Sequence, residues 1–140
     1  MSISVTFMVD AVPIPKGRPR FRSVGKFVQT YTDSKTRDFE ALIAEHAKDA
    51  MGDMEPLETP LSVFLHFSLP IPASATKKVR EALLATPHTK KPDIDNLCKS
   101  VLDGMAGIVF KNDGQIASLH AKKVYADYGF INVLIMENND

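Results

Sequence analysis

The sequence predicts a small α/β (α+β) domain: a single mixed or antiparallel sheet with helices packed on one side. Three observations carry this. The run from Leu61 to Leu69 places Leu61, Val63, Leu65, Phe67 and Leu69 at a spacing of two, which fits a strand with one buried face. Two stretches, one after Asp33 and one after Asp93, repeat apolar residues at helical spacing instead. Finally, 140 residues with 44% hydrophobic content suffice for one compact core and leave little for a second, so residues 1–140 are expected to form a single domain.

Each element follows from local pattern. Ile3, Val5, Phe7 and Val9 alternate with smaller or polar residues and predict a first strand. Pro13, Pro15, Gly17, Pro19 and Gly25 then argue against regular structure and predict a basic loop. A helix starts near Asp33 or Ser34, presents Phe39, Leu42, Ile43 and Ala47 on one stripe, and ends before Gly52. After the Leu61–Leu69 strand, Pro70 and Pro72 stop the sheet. A short basic helix is expected from about Ala75 to Leu84, capped by Ser74 or Thr76. Ile94, Leu97, Cys98, Val101, Leu102 and Met105 define a further helix running to Gly104 or Gly107. Gln115 to Ala126 and Phe130 to Met136 read as a hairpin turning at Asp127, Tyr128 and Gly129.

Composition narrows the function classes. One cysteine, Cys98, excludes an intrachain disulfide and a cysteine-built zinc site, and it suits a reducing compartment. His46, His66, His88 and His120 lack the close spacing of zinc ligands. No basic-then-apolar leader and no apolar run of membrane-spanning length is present, so a cytoplasmic protein without membrane contact is expected. Net charge is zero, but the charges are segregated. Lys16, Arg18, Arg20, Arg22 and Lys26 occur in a stretch without acids, and Lys77, Lys78, Arg80, Lys90 and Lys91 are opposed by Glu81 alone. A neutral chain can present a basic face to phosphates in this way. Phe21, Phe27 and Tyr31 interleave with the first basic stretch and suit either base stacking or anchoring of the loop.

The densest chemistry lies between Lys90 and Gln115. Asp93, Asp95, Asp103 and Asp113 fall within about twenty residues of one another together with Lys99. On the helix, Asp95, Asn96, Lys99 and Asp103 occupy the face opposite the apolar stripe, and Lys99 lies four residues from both Asp95 and Asp103. Clustered carboxylates repel one another unless a cation, a shared proton or a lysine is near. Hard divalent cations take oxygen ligands from just such groups. The competing reading makes Asp95 a helix cap and Asp95, Lys99 and Asp103 a solvated ion-pair ladder worth a few tenths of a kcal/mol per pair.

The run Lys91-Pro-Asp93-Ile-Asp95-Asn96-Leu97-Cys-Lys99, with Asp103 and then Asn112-Asp113-Gly-Gln115, resembles the signature of the RusA-type Holliday-junction resolvases, metal-dependent endonucleases common in phages and prophages. Pro15-Lys-Gly-Arg-Pro-Arg-Phe21 followed by Tyr31-Thr32 and a helix is similar to the phage-type branch of that family. The resemblance implies that Asp93, Asp95 and Asp113 bind metal and take part in catalysis, that Lys99 is the catalytic lysine, and that Asp103 is the family's helix aspartate, joining the metal set. Asn112 departs from the pattern, since relatives often carry aspartate there. The implied function is a magnesium-dependent nuclease, with manganese the other candidate ion, that resolves four-way-junction or other branched DNA in recombination and repair. Its implied assembly is a homodimer, and Lys16, Arg18, Arg20, Arg22, Lys26, Lys90 and Lys91 are the candidate DNA contacts. The alternatives are a non-catalytic DNA-binding protein and a metal nuclease acting on another flap or on RNA.

Overall fold

The structure is a computed structural model that describes residues 2–17, 20–25, 27–31 and 33–139, with the backbone alone at 20–22, 24 and 27–31. Its elements in chain order are β1 (Ser4–Val9), β2 (Arg20–Val24), β3 (Phe27–Tyr31), α1 (Ser34–Met51), β4 (Leu61–Pro70), α2 (Lys77–Leu83), α3 (Ile94–Met105), β5 (Ile116–Ala126) and β6 (Phe130–Glu137). A single 3-10 turn at Asp113–Gln115 precedes β5. The mixed four-stranded sheet bears out the expected fold class.

β4 is the most buried strand of the four-stranded sheet, and it occupies an interior position in the order β1-β6-β4-β5. Its Leu61, Val63, Leu65, Phe67 and Leu69 are all buried. One edge pairs antiparallel with β6, through Val63 with Ile135 and Leu65 with Val133. The other edge pairs in parallel with β5, through Leu65 with Ala121. β1 then adds antiparallel to β6, Val5 facing Ile135.

This arrangement corrects the expected hairpin, because β5 and β6 form adjacent segments in sequence but are separated in the sheet by β4. Asp127, Tyr128 and Gly129 cross the end of β4, a gap of two strand spacings or roughly 10 Å, which three extended residues can span. The continuous apolar face of β4 favours an interior place, and local turn residues do not choose the partner strand.

A second correction concerns the expected basic loop. Residues Pro13 to Gly17 are irregular, but β2 and β3 form a separate two-stranded antiparallel sheet in which Val24 faces Phe27. Gly25 adopts φ 62, a left-handed conformation that glycine takes without a steric penalty and that a tight hairpin turn demands.

The core is closed by α1 and α3. α1 buries Thr36, Phe39, Ile43, Ala47 and Met51, a stripe at helical spacing. α3 buries Leu97, Cys98, Val101 and Met105. Gly104 permits the close approach of the two helices, since a Cβ there would lie 2.8 Å from Ile43 Cβ and 3.0 Å from the Glu40 carbonyl oxygen. α2 buries nothing, and its cap is Thr76, which accepts from the Val79 backbone N–H at 3.2 Å. Beyond it, Ala85 and His88 donate backbone N–H groups to Tyr125 and Lys123. The chain therefore runs along the edge of β5 before it enters α3. Among the described residues, no helix is long and apolar enough to cross a membrane.

Candidate active site

The segment entering α3 is held from the sheet. Lys123 occupies an inward position of β5, opposite Phe67, and its Nζ donates to the carbonyl oxygens of Lys90 at 2.5 Å and Pro92 at 2.7 Å. The Lys91–Pro92 peptide bond is cis. Asp93 follows as the N-cap residue of α3. Its backbone carbonyl accepts from Leu97 at 3.1 Å, but its side chain makes no capping bond and is exposed. Asp95, in the first turn, is exposed as well and sits where the helix dipole favours a carboxylate. A groove of about 640 Å³ borders this entry, with Lys16, His88, Lys91, Pro92, Asp93 and Asn96 in its walls.

Lys99 links α3 to the turn before β5. Its Nζ lies 3.0 Å from Asp103 Oδ1 and 3.8 Å from Asp113 Oδ2. Asp113 owes its place to two neighbours. Asn112 Oδ1 accepts from Gly114 N–H at 2.8 Å, and Gln115 Oε1 accepts from Asn112 N–H at 2.9 Å, which together form a capping box. Gln115 Nε2 also donates to the carbonyls of Leu57 and Thr59 at 2.9 and 3.0 Å. Asn112, the departure noted in the sequence, thus caps the turn that presents Asp113.

The structure places the remaining expected residues unevenly. Lys90 and Lys91 are exposed at the α3 entry. Lys16 is only 27% exposed, and its ammonium meets Glu40 at 2.6 Å and Asp103 at 3.1 Å, so two carboxylates already compensate its charge. Burial tends to lower the Lys16 pKa, yet the bonds to Glu40 and Asp103 outweigh it and the net shift is upward. Arg18 and Lys26 lie outside the described residues, and the side chains of Arg20 and Arg22 do as well. Among the described residues, no group of three or more His, Cys, Asp or Glu side chains is placed to hold a metal ion, so the expected set of Asp93, Asp95, Asp103 and Asp113 is not brought together as one.

Two neighbours modify the electrostatics. Burial, aided by the Asp95 charge, pushes the Cys98 thiol up to about 11, so it remains protonated and inert beside the carboxylates. Burial and the Lys123 charge lower the His88 pKa, against a smaller opposing contribution from the Lys90 backbone, and favour a neutral ring in the groove wall. Sequence reasoning missed Lys123 and Glu40. The signal for Lys123 was a lysine at an inward register of a strand, where a charge requires a partner.

The chain matches the profile of the family Endodeoxyribonuclease RusA over residues 10–136. It is also similar to the uncharacterized protein YqaN of Bacillus subtilis (strain 168), at 28% identity over 136 residues that cover 95% of this chain and 96% of that protein. The family match takes in β2, β3, the groove, α3 and the Asp113 turn together, and the chain accordingly belongs to the RusA endodeoxyribonuclease family.

Proposed function

We propose that this protein is a magnesium-dependent endodeoxyribonuclease that resolves four-way junctions and related branched DNA in recombination and repair, and that it works as a homodimer. The observation that carries the reading is the Lys99 ammonium lying between Asp103 and Asp113 on the helix that presents Asp93 and Asp95 to solvent. Membership of an endodeoxyribonuclease family supports it.

The donors fit the ion in kind. Asp93, Asp95 and Asp113 offer only oxygen, the Asp93 side chain is not spent on its helix cap, and magnesium is commonly held by one or two carboxylates with substrate phosphates completing its shell. A closed cage is not required. Held there, magnesium would supply an activated water and charge neutralisation at the leaving oxygen. Lys99 then stabilises the charge that builds on the scissile phosphate. Lys90 and Lys91, at the groove entry, attract the DNA backbone. A four-way junction has two-fold symmetry, so paired symmetric cuts call for two sites related by a dyad, which is the reason for the homodimer.

The test is incubation of purified protein with an end-labelled synthetic four-way junction, with and without magnesium. Paired symmetric nicks that require the ion support the reading. Asp93→Asn and Asp95→Asn should abolish cleavage and leave gel-shift affinity close to that of the unaltered protein. Junction binding without cleavage by the unaltered protein would favour a DNA-binding module instead.

A further inference from the structure

Asp103 lies one turn beyond Lys99 on α3, and each of its two carboxylate oxygens meets a different ammonium. Oδ1 is 3.0 Å from Lys99 Nζ, and Oδ2 is 3.1 Å from Lys16 Nζ. Lys16 Nζ in turn reaches Glu40 Oε1, on α1, at 2.6 Å. Charges therefore alternate along a row of four side chains, Lys99, Asp103, Lys16 and Glu40, that runs from the catalytic lysine to the opposite helix. Lys99 is 52% exposed at its outer end, whereas Lys16, Asp103 and Glu40 are 27, 25 and 22% exposed. Shielding of the inner three makes their pairing less subject to salt than an ordinary surface bridge.

Backbone bonds fix the place of Lys16 independently of its charge. Its N–H donates to the Asn96 carbonyl of α3 at 2.9 Å. Ser100 Oγ donates to the Ile14 carbonyl at 2.6 Å, and Thr36 Oγ1 donates to that of Pro15 at 3.3 Å. The extended segment before the β2–β3 hairpin is thereby fastened to both helices, and the ammonium of Lys16 is delivered to the far oxygen of Asp103.

We infer that Asp103 is the positioning residue of Lys99 and not a metal ligand, and that Lys16, braced by Glu40, fixes Asp103. The inference rests on the reading of Lys99 as catalytic. Two ammonium groups on one carboxylate repel an incoming divalent cation and occupy the oxygens it would need. An unrestrained lysine has rotamer entropy to lose, so fixing its head before substrate arrives removes part of that cost from the reaction. The row does this and leaves Lys99 3.8 Å from Asp113.

The test uses Asp103→Asn, which keeps shape and removes charge, in the full chain. Nitrogen-15 spectra of lysine ammonium groups, assigned with Lys99→Met and Lys16→Met, read the row directly. In the unaltered protein both ammonium signals should be restrained, and in Asp103→Asn that of Lys99 should join the mobile lysines. Single-turnover cleavage should slow by about tenfold or more while junction affinity and the affinity for manganese alone change by less than about twofold. Asp103→Glu, which restores the charge, should recover part of the rate. Manganese affinity weakened by about tenfold in Asp103→Asn would make Asp103 a ligand and overturn the inference, and so would an unchanged Lys99 signal or cleavage rate. If Asp103→Asn loses its native spectrum, Lys16→Met gives the same decision: slower cleavage at unchanged manganese affinity supports the row, and an unchanged rate removes it. Should the unaltered protein cut no junction, the nuclease reading fails on that result, while the ammonium and manganese measurements still decide the role of Asp103.

Discussion

Lys123 Nζ donates to the carbonyl oxygen of Pro92 at 2.7 Å, tying the middle of β5 to the residue immediately before Asp93. The second bond, to the Lys90 carbonyl, makes the ammonium a two-point clamp on the α3 entry. Lys123→Met keeps most of the aliphatic stem and removes both donors. It should lower the unfolding free energy by about 1–3 kcal/mol in urea titrations, the usual scale for hydrogen bonds from a charged group. Cleavage should slow by about tenfold, because Asp93 loses its fixed position. Unchanged stability and unchanged rate together would show that the clamp is idle.

Lys99 distinguishes catalysis from surface pairing. If the lysine only bridges Asp103 and Asp113, Lys99→Met should cost at most about 1 kcal/mol of stability and leave turnover normal. As a stabiliser of transition-state charge, its loss should slow single-turnover cleavage by about a hundredfold or more at little change in junction affinity. Lys99→Arg keeps the charge and alters donor geometry, so its rate separates electrostatics from placement.

Gly104 sets the distance between the helix that carries the site and its support. The methyl of Gly104→Ala would lie 2.8 Å from both Ile43 Cβ and Ile43 Cγ2, so one helix must shift. A loss of about 1–3 kcal/mol is expected from such overpacking. Ile43→Ala removes the Cγ2 contact but keeps Cβ and leaves a cavity that costs about 2–5 kcal/mol by itself, so the double variant should lose less than the sum of the two single losses, which a double-mutant cycle in urea measures.

Histidine titration gives the pH dependence a definite sign. Burial lowers the pKa of His66, with the Lys122 charge adding to it, and burial with the Lys123 charge lowers that of His88. Both rings bind a proton less readily in the folded chain than in the unfolded one. Acidification through their ordinary value of 6.5 therefore favours unfolding, and stability present at pH 7.5 should decline toward pH 5.5. Urea titrations at the two pH values check this. The double variant His66→Gln, His88→Gln should show a shallower decline.

By itself the sequence determined those features whose cause lies within a few residues. The alternation of Leu61 to Leu69 fixed β4 and its buried face, the stripe from Phe39 through Ile43 to Ala47 fixed α1, and Leu97, Val101 and Met105 fixed the inward side of α3. The Asp93 to Gln115 motif was legible for the same reason and led to the family that the profile match shows. Tertiary structure alone decided the partners. β4 separates β5 from β6 because strand pairing is settled by which faces share a core, a contact between residues some sixty apart that no local window contains. The same holds for Lys16, read from its neighbours as a phosphate contact but brought by the chain's path between α1 and α3 onto Glu40 and Asp103. Charge pattern in a sequence reports how many ions are present, whereas burial and distance, which only folding sets, decide which of them are already paired.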